Sequence, residues 1–223
     1  MDIAKVSSFE SFVELVQMLG FMPFANNKIG YPNLDALTDN EWHTGKDDDP
    51  WRWRVRIERD HKALFGKFFY GKPGFISLDR VADFASVRRD GLVFDEIFYD
   101  GVLPRECKVI YEAIEDHGEL AVHEIKSVCE FDKSSNTKFE NAIKALQMFM
   151  LVTGSGQKRK VNRQGEEYGW PSSVFSTLET WLGHEVDYID YGQAKANILE
   201  TMSVYMPQFD EKKAGKFVAG IKG

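Results

Sequence analysis

Residues 104–176, PRECKVIYEAIEDHGELAVHEIKSVCEFDKSSNTKFENAIKALQMFMLVTGSGQKRKVNRQGEEYGWPSSVFS, decide the fold. Pro104 stands just ahead of Arg105 to His117, where Val109, Ile110, Ala113 and Ile114 recur at helical spacing until Gly118 stops them. Leu120 to Cys129 reads as a second short helix. After the polar link Asp132 to Asn136, Thr137 and Glu140 have the spacing of a capping box. They open a third helix with Phe139, Ile143, Leu146 and Met150 on its buried side and Thr137, Asn141 and Lys144 on the opposite stripe. Leu151 to Val161 then reads as a strand, Gln164-Gly165 as its turn and Tyr168 to Ser176 as its return. Three short helices followed by a basic hairpin is the winged-helix order. There the third helix can enter a major groove while the wing lies along phosphates or in the minor groove.

Outward from this unit, an N-terminal helix starts at a Ser7 and Glu10 capping box, buries Phe9, Phe12, Val13, Val16 and Leu19, and ends at Gly20. A polar stretch up to Pro50 reads as loop, with room for a short helix capped by Thr38 and Glu41. Trp51, Trp53, Val55 and Ile57 alternate with Arg52, Arg54, Arg56 and Glu58, which predicts a strand with one apolar and one cationic face. A turn near Asp60 and His61 leads into Ala63 to Tyr70 and then Lys72-Pro73-Gly74, a hairpin. Ser77 to Val87 reads as a helix with Arg88-Arg89-Asp90-Gly91 as its polar exit. Beyond Ser176, a helix start at Ser176 and Glu179 and a helix over 193–206 precede a tail carrying Lys212, Lys213, Lys216 and Lys222, expected to be peripheral. The expected fold is α+β: an N-terminal helix, loop and hairpin region over 1–103, a winged helix (three helices plus a β-hairpin wing) over 104–178, and a C-terminal helical extension over 179–223.

With 43% hydrophobic and 28% charged residues in 223, the chain can build a core, which excludes the disordered and fibrous classes. It holds no run of 18 apolar residues and no secretory pattern at MDIAKVSSFESF, so no membrane partner and a cytoplasmic location are expected. Cys107 and Cys129 are too few for a disulfide framework and lack Cys-x-x-Cys spacing. His43, His61, His117, His123 and His184 lack metal-binding spacing, so neither metal nor other cofactor is expected. The net charge of −7 conceals a partition. From Lys133 to Arg163 seven basic residues (Lys133, Lys138, Lys144, Lys158, Arg159, Lys160, Arg163) face one acid, Glu140. From Trp51 to Lys72 seven more (Arg52, Arg54, Arg56, Arg59, Lys62, Lys67, Lys72) face Glu58 and Asp60. Such asymmetry points to a focused positive face, unless acids elsewhere in the fold pair with it.

The wording of two segments, PWRWRVRIERDHKALFGKFFYGKPGFIS over 50–77 and FASVRRDGLVFDEIFYDG over 84–101, resembles the bacterial AlkZ-related proteins. FESFVELVQMLGFMPF over 9–24 and Tyr168-Gly169-Trp170 extend the likeness. These proteins are a branch of the winged-helix family that includes alkylpurine DNA glycosylases. The resemblance implies a winged-helix architecture, DNA binding and, in glycosylase members, hydrolysis of the N-glycosidic bond of damaged purines without metal or organic cofactor. Those members carry a catalytic Gln-x-Gln or Gln-x-Asp pair, which is read here as absent: Gln17, for one, is followed by Met18-Leu19. Fold and DNA binding are therefore carried over and catalytic residues are not.

Candidate acids near the second segment, Asp83, Asp90, Asp95, Glu96 and Asp100, are read instead as turn formers, helix-end charges and surface acids, since carboxylates are common in an acidic chain, so no catalytic residue is named. Trp51 and Trp53 read as core, leaving the arginines as phosphate contacts or ion-pair partners. Gly154-Ser155-Gly156 lacks the setting of a phosphate loop and reads as wing flexibility. The expected DNA-binding set is Lys138, Asn141, Lys144, Lys158, Arg159, Lys160, Arg163, Arg52, Arg54 and Arg56, and the expected partner is duplex DNA, intact or damaged. Two alternatives stay open. One is an active DNA glycosylase using an unplaced acid, and the other is a winged-helix module that binds a protein partner.

Overall fold

A computed structural model of the chain describes residues 3–220. α1 (Phe9–Leu19) buries Phe9, Phe12, Leu15, Val16 and Leu19, a stripe at helical spacing. Its reciprocal cap is made by Ser8 and Ser11, one residue later than the Ser7 and Glu10 box expected. Gly20, at φ +75, ends the helix and leads directly into β1 (Phe21–Pro23).

The predicted strand over 51–58 is instead a helix, α2 (Pro50–Arg59). Asp49 caps it with its carboxylate and Pro50 occupies the first turn, where a missing N–H costs nothing. Trp53 and Ile57, four apart, are fully buried, whereas Trp51 lies on another side and is 40% exposed. Only one of the two tryptophans is therefore core. Asp49 accepts from the backbone N–H groups of Trp51 (2.8 Å), Gly45 (2.9 Å) and His43 (3.1 Å). Burial alone would raise its carboxyl, but these donors outweigh it and hold the group below its ordinary range. Asp49→Ala is expected to cost about 2 kcal/mol. A carboxyl held low stabilises above its unfolded pKa and loses that contribution as pH falls through the folded value. Urea denaturation at neutral and acid pH should therefore show the gap between wild type and variant closing in acid.

The hairpin forms from β2 (Ala63–Phe69) and β3 (Lys72–Ser77), without the residues of α2. With β1 they make an antiparallel sheet in the order β1-β3-β2, pairing Phe21 with Ile76 and Leu64 with Ile76. A 3-10 turn (Leu78–Arg80) leads into α3 (Val81–Arg89), and α4 (Phe94–Tyr99) follows.

The second unit runs α5 (Arg105–His117), β4 (Glu119–Ala121), α6 (Val122–Val128), α7 (Asn136–Met148), β5 (Val152–Val161) and β6 (Glu167–Thr177). The helix expected over 120–129 is thus a short strand followed by a shorter helix. β6 is central in an antiparallel sheet of order β4-β6-β5, with Leu120 opposite Phe175 and Val152 opposite Thr177. α7 has no side-chain cap. Glu140 pairs weakly with Lys67 and Lys126 instead of closing the expected box with Thr137. α8 (Leu178–Leu182) is capped by Thr177 and Thr180, displacing the start expected at Ser176 and Glu179.

α9 (Tyr191–Tyr205) and α10 (Glu211–Ala219) complete the described chain. The tail expected to be peripheral is docked: Ala214, Phe217 and Val218 are buried, and Phe217 stacks on Phe69 at 5.1 Å. Lys222 lies outside the described residues. One apolar cluster joins α1, the first sheet, α3, α9 and α10, and a second fills the α4 to β6 unit.

Arg88 and Arg89, expected at a polar exit, are both 3% exposed and join the two clusters. Arg88 donates to Met148 O (3.0 Å) and Val218 O (3.3 Å). Arg89 donates to Phe149 O (3.2 Å), Met150 O, Glu179 Oε1 (2.5 Å) and the Tyr188 hydroxyl (2.8 Å). The final carbonyls of α7, which have no partner within their helix, are satisfied this way.

Candidate nucleic-acid interface

Beyond Val174 the β5–β6 pair extends past β4 as a two-stranded ribbon. Lys158, Arg159, Lys160 and Arg163 are all exposed on it. Lys158 pairs with Glu124 (2.6 Å), and Arg159 donates to Gly169 O (3.0 Å) at an irregularity in the ladder. Tyr168 lies opposite Lys160 in register and is half exposed. Trp170 is 94% exposed, an expensive position for an indole that nothing in the fold repays. It belongs to the Tyr168-Gly169-Trp170 segment and not to the expected DNA-binding set.

On α7, Lys138 and Asn141 are exposed and Lys144 is partly buried. Lys138 approaches Glu106 at 3.5 Å, and Lys144 donates to Asn141 Oδ1 at 3.1 Å. The Lys144 stem packs over Gly71 at the β2–β3 turn, where an added Cβ would lie 2.7 Å from Lys144 Cδ.

The arginines of α2 do not form the row a strand would give. Arg52 donates to Gly45 O (2.6 Å), and Arg56 pairs with Asp60 (3.3 Å) and Glu10 (3.4 Å) while stacking over Phe9. Arg54 stacks on Trp51, its guanidinium 4.0 Å from the ring centre. α2 packs beside β5, and Arg52, Arg54, Arg56, Arg59 and Gln157 line one shallow groove of about 230 Å³. The two basic segments of the sequence therefore meet in space. The ion pairs along this groove are largely exposed and weak enough for an incoming phosphate to compete with them.

Behind the groove, Trp51, Arg54 and Glu58 share one side of α2 at the i, i+3, i+7 spacing. They face a cleft of about 370 Å³ closed by Phe24, Phe65, Phe139 and Phe175. Glu58 is 4% exposed, and burial holds its carboxyl well above the usual range, only partly offset by Arg54. Its Oε2 crowds Gly154, where an added Cβ would lie 2.1 Å away. Gly154 therefore serves a close approach to Glu58, not the flexibility expected of it. A carboxyl held high keeps its proton in the folded state where the unfolded chain has lost it, so Glu58 erodes stability as pH rises from 4.5 through its folded value. Glu58→Gln is expected to flatten that slope, measured as urea midpoints between pH 4.5 and 8.

None of the acids weighed as catalytic lines this cleft. Asp83 accepts from Asn197 (2.7 Å) and Arg80 (3.1 Å), Asp90 ends α3, Asp95 and Glu96 lie in the first turn of α4, and Asp100 ends that helix. One Gln-x-Asp spacing does occur, contrary to the expectation of none: Gln208-Phe209-Asp210. Both polar residues are exposed, and Asp210 caps α10 by accepting from Lys213 N (3.0 Å). Cys107 and Cys129 are free thiols. Among the described residues no three His, Cys, Asp or Glu side chains are grouped to hold a metal, and no helix is long and apolar enough to cross a membrane.

The class defined by these observations is a mixed α+β protein with two small antiparallel sheets and a cationic hairpin. Its sequence matches the AlkZ-related family over residues 6–219, and the chain belongs to that family. The resemblance seen in the PWRWRVRIERD and FASVRRDG segments is thus borne out. No curated protein matches the chain. Among solved structures, Streptomyces sahachiroi DNA glycosylase AlkZ is similar at 12% identity and a TM-score of 0.47, over 89% of this chain and 51% of that one. The chain spans about half the length of that glycosylase.

Proposed function

We propose that this protein binds duplex DNA, in a DNA-repair-related role, through a winged-helix unit and the adjoining arginines of α2. What supports the reading is the convergence of two basic segments, far apart in sequence, along α2 and β5 in an otherwise acidic chain. The element order α5, β4, α6, α7, β5, β6 and the sheet order β4-β6-β5 suit a winged helix. In this reading α7 presents Lys138, Asn141 and Lys144 to the major groove. The β5–β6 wing lays Lys158, Arg159, Lys160 and Arg163 along the backbone, and Arg52 and Arg56 extend the phosphate track. Arg54, stacked on the Trp51 ring, lines the same groove beside that track.

Trp170 gives the test. A wing seated on DNA places this indole against sugar or base, so Trp170→Ala weakens duplex binding roughly tenfold, about 1.4 kcal/mol, without altering the salt slope. Fluorescence anisotropy of a labelled duplex at several salt concentrations measures both quantities. An unchanged affinity would take the wing off the DNA.

A further inference from the structure

A cavity of about 680 Å³ lies between the loop that follows β1, the β2–β3 turn and α10. It shares no lining residue with the groove along α2 and meets the cleft behind that helix only at Pro73. Its floor is apolar, made by Pro23, Phe69, Pro73 and Phe217, with Phe69 and Phe217 stacked at 5.1 Å. Three cations stand around that floor, each from a different segment: Lys28 from the loop, Lys72 from β3 and Lys216 from α10. No carboxylate lines the cavity, and among the described residues none of the three lysines has one within 4.0 Å. In a chain with 35 acidic and 28 basic side chains, a hollow lined by cations alone is a local reversal of charge. Tyr70 forms the remaining wall. Its backbone sits at φ +52, beside Gly71 at φ +73, in a two-residue turn that Asn-Gly would make without strain. The tyrosine ring stands edge-on to Phe217 at 5.9 Å, and its hydroxyl has no hydrogen-bond partner among the described residues.

We propose that this cavity binds a small aromatic anion, a flat apolar body carrying a phosphate, carboxylate or sulfonate head. The body rests against Phe217 and Tyr70, the head takes its counter-charge from Lys28, Lys72 and Lys216, and the Tyr70 hydroxyl donates to it. Charge selects the sign of the ligand, and the apolar floor selects its body. The volume falls within the range of small-ligand sites and is more than a bare inorganic anion would fill. Lysines on flexible stems act as point charges, so they suit an anionic head without demanding the planar geometry that an arginine fork reads. The site stands apart from the DNA-binding reading and does not depend on it.

The test is a fluorescence titration with anilinonaphthalene sulfonate, an aromatic anion that brightens in apolar sites, followed by its displacement. Naphthyl phosphate should displace the probe at concentrations at least about tenfold lower than uncharged naphthol or inorganic phosphate require. The double variant Lys72→Gln, Lys216→Gln changes two exposed side chains and should weaken probe binding at least about tenfold, with circular dichroism confirming the fold. Lys213→Gln, on the same helix but outside the cavity, should leave it unchanged. Absence of saturable probe binding overturns the proposal, as does a folded double variant that binds like the wild type. Displacement by naphthol as readily as by naphthyl phosphate would make the hollow merely apolar and overturn it as well. Release of the probe by duplex DNA but not by naphthyl phosphate would assign the three lysines to the nucleic-acid surface, with the same consequence.

Discussion

Replacing Arg89 with alanine is expected to destabilise the protein by about 3–5 kcal/mol, more than any other single change considered. The guanidinium is 3% exposed and ties Phe149 O and Met150 O at the end of α7 to Glu179 of α8 and the Tyr188 hydroxyl. Its removal leaves a partly buried carboxylate and two helix-end carbonyls without their donor, a costlier outcome than losing a pair whose members both reach water. Arg89→Lys restores the charge but not the planar fork, and should recover only part of the loss. Urea denaturation of the three proteins measures it. A loss below about 1 kcal/mol for the alanine variant would mean that apolar packing alone holds the two clusters together.

The second large effect concerns affinity. Reversing Lys158, Arg159, Lys160 and Arg163 to glutamate removes four cations from the ribbon and substitutes four repulsive charges. Each phosphate contact contributes about 0.9 to the slope of log K against log salt, so the slope should flatten by about three to four, and low-salt binding should be largely lost. All four residues are exposed, so the fold should survive the change. If slope and affinity remain those of the wild type, the ribbon does not touch DNA.

The part of the chain that carries these charges was legible because several local signals agreed. Helical spacing up to Gly118, the Gln164-Gly165 turn and the density of lysine and arginine all pointed to helices followed by a basic hairpin. α2 was not, because Trp-Arg-Trp-Arg-Val-Arg-Ile fits a period of two as well as any strand. The deciding signal lay just upstream, where Asp49 followed by Pro50 is a helix start. That one choice of period hid the cleft, since Trp51, Arg54 and Glu58 share a side only on a helix. The burial of Arg88 and Arg89 is hidden from the sequence for another reason. Paired charges after an apolar run resemble a helix exit, and only tertiary structure brings the carbonyls of α7 to them. Trp170 could have been found from its place between Gly169 and Pro171 in a polar, basic hairpin, where no apolar neighbour is at hand to bury an indole.

The most direct measurement is the binding of a fluorescently labelled duplex, with and without an abasic-site analogue, to the wild-type protein at low and at physiological salt. The account predicts binding at low salt that weakens steeply as salt rises, because the proposed contact surface is a cationic groove and ribbon on a chain of net charge −7. Tighter binding to the abasic duplex would extend the account toward lesion handling. Absence of binding to either duplex at low salt would contradict it.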